Sequence, residues 1–260
     1  MPEDGSSDTG GQIPTNLRLL MVLEEIVQAG VPITPTAANA SLGLPKPTVH
    51  RLFHTLEAEG FLQRDIDGKA YSPGWRLRKL SVNTLSSLHI RTARLAILKS
   101  LADKIGETCN LATPDREAML YLDRVETKWP LRIQLPVGTT VPFYCTAAGK
   151  MYLSSLTAAQ RDKIIDHLPL VRRTRKTITD PDQLRAEIRE IHKRGYSTDN
   201  EEFMEGMAAI AVPVKDDLGR LLATLSVHAP IQRQTKDDLM QFRGLLASAS
   251  EDLSNLLLSR

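Results

Sequence analysis

The sequence predicts an α+β protein in two parts: a small helical unit that ends in a hairpin, then a larger unit of mixed strands and helices. Three observations carry this. Residues 15–60 show only helical periodicity, broken by proline and glycine. Residues 61–72 form two short runs around the polar turn Asp65-Ile66-Asp67-Gly68. After Gly106, strand-like runs alternate with helices. The expected divisions are a disordered tail at 1–14, the helix-and-hairpin unit at 15–75, a linker helix at 76–88 and the larger unit at 89–260.

Thr15 or Asn16 can cap a first helix, in which Leu19, Val22, Leu23 and Ile26 recur at helical spacing before Gly30 stops it. Thr36–Leu42 is a short alanine-rich helix, closed by Gly43-Leu44-Pro45. The next helix opens at Lys46-Pro47-Thr48, where proline's missing N–H costs little. Its apolar stripe is Val49, Leu52, Phe53 and Leu56, with Pro47, His50, Arg51 and His54 opposite. Phe61–Arg64 and Lys69–Ser72 are the hairpin strands. Residues 75–88 read as a helix with a basic start, and Ile90, Ala93, Ile97, Leu101 and Ile105 mark a long amphipathic helix. Strands are expected at Thr108–Ala112, Ala118–Val125, Leu131–Leu135, Ala209–Val214 and Leu221–Val227. Helices are expected at Thr146–Leu156, Ala158–His167, Asp182–Arg194 and Lys236–Leu258.

Composition narrows the classes. The 260 residues are 42% hydrophobic and 25% charged, with a net charge of +2. No run of eighteen apolar residues offers a membrane span, and the acidic, small-residue stretch Met1–Gly11 does not have the pattern of a secretory signal. Two cysteines, Cys109 and Cys145, are too few for a disulfide framework or a cysteine-built metal site, which suits a reducing cytoplasm. No cofactor is expected.

Three short helices and a hairpin make the winged helix-turn-helix pattern. A helix that reads DNA needs an apolar side to dock on its own domain and a polar side to meet base edges. His50, Arg51 and His54 supply that side. Lys46, Pro47 and Thr48 stand at the helix start, where phosphate is favoured, and Lys69 is on the hairpin. Residues 36–80 are locally basic: Lys46, Arg51, Arg64, Lys69, Arg76, Arg78 and Lys79 stand against Glu57, Glu59, Asp65 and Asp67. A helical adaptor that docks on a partner protein would show the same pattern.

The larger unit offers a possible pocket and no catalytic set. Cys145 precedes a helix start, where a thiol pKa can fall, so a thiol-dependent enzyme is one alternative; a small buried hydrophobe is the other. His167, His192 and His228 lack metal-ligand spacing. Glu201 and Glu202 after Asp199 read less as paired acid/base carboxylates than as a solvated edge or a structural hydrogen-bonding set, and Arg172–Lys176 less as a second DNA contact than as a solvated loop. The small residues Thr146, Ala147, Ala148 and Gly149 would let a ligand's carboxylate approach backbone N–H groups, and they suit close helix packing equally well. Ile133, Phe143 and Tyr144 are candidate apolar lining. Ser226 and His228 alternate on a strand and point to one side.

Five segments, in order, resemble the IclR-type bacterial transcription regulators. The first is Ser41-Leu42-Gly43-Leu44-Pro45-Lys46-Pro47-Thr48-Val49-His50-Arg51-Leu52. The second runs from Leu131-Arg132 through Val137-Gly138 and Val141-Pro142 into Ala147-Ala148-Gly149-Lys150. Then come Thr177-Ile178-Thr179-Asp180 with Arg194-Gly195-Tyr196, Asp199-Asn200-Glu201-Glu202 with Gly206-Met207-Ala208-Ala209-Ile210-Ala211, and Ser226-Val227-His228-Ala229-Pro230. Pro47 departs from the serine of many members, and His228 stands where a small or hydroxyl residue is expected. The resemblance implies a dimeric or tetrameric repressor or activator that binds operator DNA. It implies a GAF/PAS-like C-terminal mixed sheet that takes a small effector, often an organic or aromatic acid. It implies that the facing wall of the effector site is Asp199, Met207 with Ala209, and Ser226 with His228, beside Cys145 and the small residues that follow it. It also implies that the 75–105 helices join the domains and carry dimer contacts.

Overall fold

The computed structural model describes residues 14–65, 68–85 and 88–258. The tail assigned to 1–14 lies almost wholly outside the described residues, as do Ile66 and Asp67 of the hairpin turn. The chain divides into two compact units, 1–85 and 86–260.

The first unit is helices α1 (Arg18–Ala29), α2 (Pro35–Leu42) and α3 (Lys46–Ala58), a hairpin of β1 (Leu62–Arg64) and β2 (Tyr71–Pro73), and α4 (Trp75–Leu85). Helix α1 starts differently from expectation. Leu17 occupies its cap position with no side-chain hydrogen bond, so neither Thr15 nor Asn16 caps it. Thr34 caps α2 by accepting from the Ala37 N–H. The turn between α2 and α3 needs a left-handed residue, and Gly43 provides it at φ +61°. Asn39 then pins this turn: its amide donates to the Leu44 carbonyl (2.8 Å) and accepts from the Leu44 N–H (2.9 Å). The core comprises Val22, Ile26, Ala38, Val49, Phe53 and Leu56 with Leu62 and Tyr71 of the hairpin. Arg64 of β1 bridges Glu57 of α3 at 2.7 Å, and Phe53 meets Tyr71 edge-on at 5.0 Å, so the hairpin is fixed to α3.

The second unit is built on one six-stranded sheet in the order β5-β4-β3-β8-β7-β6, formed by β3 (Thr108–Asp115), β4 (Ala118–Val125), β5 (Thr140–Pro142), β6 (Ser197–Asn200), β7 (Met207–Lys215) and β8 (Leu221–Pro230). Every pairing is antiparallel, in place of the mixed pairing expected. Side chains alternate between the faces. Leu111, Ile210, Leu225 and Val227 face α5 (Leu88–Ile105) and α10 (Arg243–Leu258). Tyr121, Ala209 and Ala211 face α6 (Ala147–Ser155), with α8 (Pro181–Arg194) behind it. Helices α7 (Ala158–His167) and α9 (Lys236–Met240) complete the unit. Among the described residues no helix is long and apolar enough to cross a membrane.

Three further expectations need correction, and one strand was not foreseen. Leu131–Leu135 is not a strand. Pro130 and Pro136 bracket it, which disfavours ladder pairing, and Arg233 and Arg124 take the carbonyls of Leu131 and Ile133; the edge strand is β5 instead. The polar strand β6 went unforeseen because Ser-Thr-Asp-Asn carries no apolar alternation. The closing helix breaks at Gln241–Phe242 into α9 and α10. On α5 the buried face is Arg94, Leu98, Leu101, Ala102 and Ile105, while Ile90, Ala93 and Ile97 are half-buried. Periodicity weighs only apolar residues, so it could not register Arg94, which is buried because Asp123 of β4 meets it at 2.6 Å.

Candidate DNA interface and effector site

Helix α3 places its two faces as required. Val49, Leu52, Phe53 and Leu56 are buried, whereas Lys46, Pro47, His50, Arg51 and His54 are exposed and Thr48 is half-buried. Pro47 falls in the first turn, where its missing N–H breaks no helical bond. Among the described residues no hydrogen bond or ion pair holds the side chains of Lys46, His50, Arg51 or His54, so they are available to a ligand. Lys69 is exposed on the hairpin. Asn39, which holds the angle between α2 and α3, was missed in the sequence; an asparagine four residues before a glycine turn is the available signal.

In the second unit, strand register gathers the expected residues. Asp199 of β6 pairs with Ala209 of β7, and Ala209 pairs with His228 of β8. The neighbouring row runs Ser197, Ala211, Ser226. Both rows face α6, since Ser197 Oγ donates to the Ala147 carbonyl and Ala147 and Ala148 pack with Ala209 and Ala211. Ser226 Oγ lies 3.0 Å from His228 Nε2, and the Tyr121 ring meets the His228 ring edge-on at 6.4 Å. Phe143, Tyr144, Cys145 and Thr146 are buried at the approach to α6, Ile133 is buried in the loop before β5, and Met207 is half-buried at the end of its row. Thr146 caps α6 by accepting from the Gly149 N–H at 3.0 Å. Gly149 serves close packing: a Cβ there would lie 2.3 Å from the Phe143 Cα.

Next to these residues is a buried charge set in which Lys150, to which the sequence assigned no role, takes part. Lys150 Nζ donates to both Glu202 carboxylate oxygens, at 2.5 and 2.6 Å, with both residues buried. Asp199 Oδ1 accepts from the Glu202 N–H at 2.7 Å, shaping the turn in which Glu201 adopts φ +63°. Thr174 and Thr177 donate to the carbonyls of Glu201 and Glu202, so the basic loop 172–176 is packed against that turn. The acidic run is therefore a structural hydrogen-bonding set.

Burial dominates the titration of the site. It pushes the Cys145 thiol up to about 12, reinforced by Asp199, so a reactive thiolate is not favoured there. Burial, then Glu202, raises Asp199 to about 7 against the pull of Lys150. Burial, then the Arg124 cation, lowers His228 to about 3. These last two shifts have opposite linkage. His228 contributes stability above its ordinary 6.5 that is lost as pH falls towards 3. Asp199 carries a penalty that grows as pH rises from 3.8 to about 7. Relative to the unsubstituted chain, Asp199→Asn should thus gain stability with rising pH and His228→Gln with falling pH, each by up to ~1.4 kcal/mol per pH unit. Urea unfolding across this window checks the two slopes; slopes of the same sign would overturn the assignment.

Comparison with known proteins decides what these two units are. Residues 82–255 match the model of the bacterial transcriptional regulator IclR C-terminal domain, and residues 17–65 match the IclR helix-turn-helix domain. The chain belongs to the IclR family. It is a DNA-binding transcriptional regulator with that family's effector-binding C-terminal domain. The probable transcriptional regulator SauR of Cupriavidus necator is 40% identical over 237 residues, covering 91% of this chain and 94% of that protein. The transcriptional repressor IclR of Escherichia coli is 28% identical, covering 97% and 93%. The crystal structure of Thermotoga maritima IclR superposes with a TM-score of 0.62 at 26% identity, covering 95% and 99%. An IclR homologue from Microbacterium hydrocarbonoxydans, crystallised with 4-hydroxybenzoate, shares the fold with a TM-score of 0.60 at 24% identity, covering 95% and 100%. In this regulator His228 is buried beside Ser226.

Proposed function

We propose that this regulator, working in the cytoplasm as a homodimer or tetramer, binds operator DNA through α3. A small organic acid held between the start of α6 and the sheet controls that binding. In this reading Arg51 and His50 read bases, Lys46, Thr48 and His54 contact the backbone or neighbouring base edges, Pro47 packs beside it, and Lys69 meets the flanking groove. The effector's carboxylate lies at Thr146–Gly149, where a helix start favours an anion. Its other end faces Ser226, His228, Asp199 and Met207, with Ile133, Phe143, Tyr144, Cys145 and Ala209 around it. The observation that carries this is the row Asp199–Ala209–His228, which places three separated segments of sequence opposite one helix start. The homologue that binds 4-hydroxybenzoate supports an acid as the ligand class. The effector can switch DNA affinity only by binding one state of the protein better than the other.

Ala148 is buried where the carboxylate would lie, so Ala148→Leu should fill that space. Calorimetry with small carboxylates should show at least about a tenfold loss of affinity. Binding to operator selected from random-sequence duplexes, without effector, should be unchanged. Unchanged acid affinity would overturn the placement and point to the surface groove of about 310 Å³ lined by Glu117, Thr140, Tyr144 and Arg173.

A further inference from the structure

Beyond Ser226, the second row of the site continues across the sheet. Ser226 of β8 pairs with Asn110 of β3, and Asn110 pairs with Arg124 of β4. Alternation puts all three on the face towards α6. Asn110 is fully buried. Its Oδ1 accepts from Arg124 Nη1 at 2.8 Å, while its Nδ2 has no hydrogen-bond partner among the described residues. The contact with a guanidinium fixes the orientation of the amide, because a flipped amide would set donor against donor. A buried amide donor is almost always paired, so this one marks a position built for an acceptor. Arg124 is nearly buried as well. Its Nε donates to Glu126 and its Nη2 to the carbonyl of Ile133, one of the expected lining residues. With His228 held neutral, Arg124 is the cation beside this row.

We propose that Asn110 and Arg124 form a second polar end of the effector site, and that the effector is a bifunctional small acid: a carboxylate at one end and a hydroxyl, oxo or second acidic oxygen at the other. The carboxylate meets the start of α6, as in the reading above on which this rests. The far oxygen accepts from Asn110 Nδ2 and lies against the Arg124 charge, next to the Ser226 hydroxyl. An acid without that oxygen leaves the buried amide unpaired, and a site built around a hydrogen bond discriminates strongly against a ligand that cannot make it.

Calorimetry on the full chain with matched probes tests this: benzoate against 4-hydroxybenzoate, butyrate against succinate, and acetate against glycolate. In at least one pair the bifunctional acid should bind about tenfold tighter or more. Asn110→Ala should bring that pair to within about twofold while leaving the simple acid unchanged. Asn110→Asp keeps the side-chain size, replaces the donor with an acceptor and should have the same effect, so a fold lost in the alanine variant does not decide the matter. The proposal is overturned by preference retained in either folded variant, by no preference in the unsubstituted chain, or by no binding of any pair. A preference retained in the Asn110 variants while Ala148→Leu still abolishes binding sinks the second end alone. Affinity unchanged in Ala148→Leu sinks the placement at α6.

Discussion

Lys150→Met should destabilise the C-terminal unit by ~3–5 kcal/mol near neutral pH, the cost of leaving one member of a buried ion pair without the other. Lys150 is 1% exposed, and its ammonium is shared between the two oxygens of Glu202. Asp199 lies alongside and already carries a carboxyl raised by burial and by Glu202. Without the cation, two carboxyl groups face each other in an apolar surround, and one must take up a proton on folding. The loss should therefore shrink as pH is lowered, because protonation removes the uncompensated charge. A double substitution, Lys150→Met with Glu202→Leu, should recover most of the stability, since a buried pair replaced by apolar side chains is often neutral. Urea unfolding of the single and double variants, followed on the C-terminal transition, measures both. A single-variant loss below about 1 kcal/mol would show that the pair is exposed to water in solution.

Arg51→Ala should weaken operator binding by ~1–3 kcal/mol and relax specificity at one base position. Arg51 stands on the exposed face of α3, next to His50 and one turn before His54, on the side opposite the buried Val49, Leu52, Phe53 and Leu56. Among the described residues no ion pair holds its guanidinium, so none of these must be broken before it reaches DNA. A guanidinium that makes two hydrogen bonds to a guanine edge loses both on truncation, and the cost falls on the cognate sequence. A phosphate contact would weaken cognate and random duplexes alike. Titration of both duplexes at two salt concentrations separates the cases: equal losses, with a reduced salt slope, would make Arg51 a backbone contact. Substitution of Asn39 acts differently. It loosens the turn that sets α3 against α2, so it should weaken all DNA binding together with the stability of the first unit.

Much of the first unit was legible because its signals are local. The stripe Val49, Leu52, Phe53, Leu56 recurs every three or four residues, and Gly43 marks the turn, so a single helix reports both its buried and its exposed face. Ser226 and His228 were legible as a pair for the same reason, since alternation on one strand puts them on one side. The resemblance named the opposing residues, but their arrangement depends on register between distant segments. No local pattern states that Asp199, Ala209 and His228 stand side by side, or that Asn110 continues the row from Ser226 to Arg124.

Buried charge was the least legible feature. Nothing in a one-dimensional pattern marks Arg94, Lys150, Asp199 and Glu202 as buried, because the cost of burying a charge depends wholly on which partner meets it. The segment 131–135 had the alternation of a strand, but flanking prolines and two distant arginines claimed its backbone. The polar Ser197–Asn200 had no such alternation and became a strand because β7 offered it an edge. By itself the sequence determined the two-unit α+β plan, the buried and exposed faces of α3 and the family, since each rests on near-neighbour spacing or on motifs in order. Only the tertiary structure decided which side chains share the α6 face, which charges are paired in its interior and that Asn110 keeps a donor unmet, because strand register and the partners of buried polar groups are set by contacts between residues far apart in the chain.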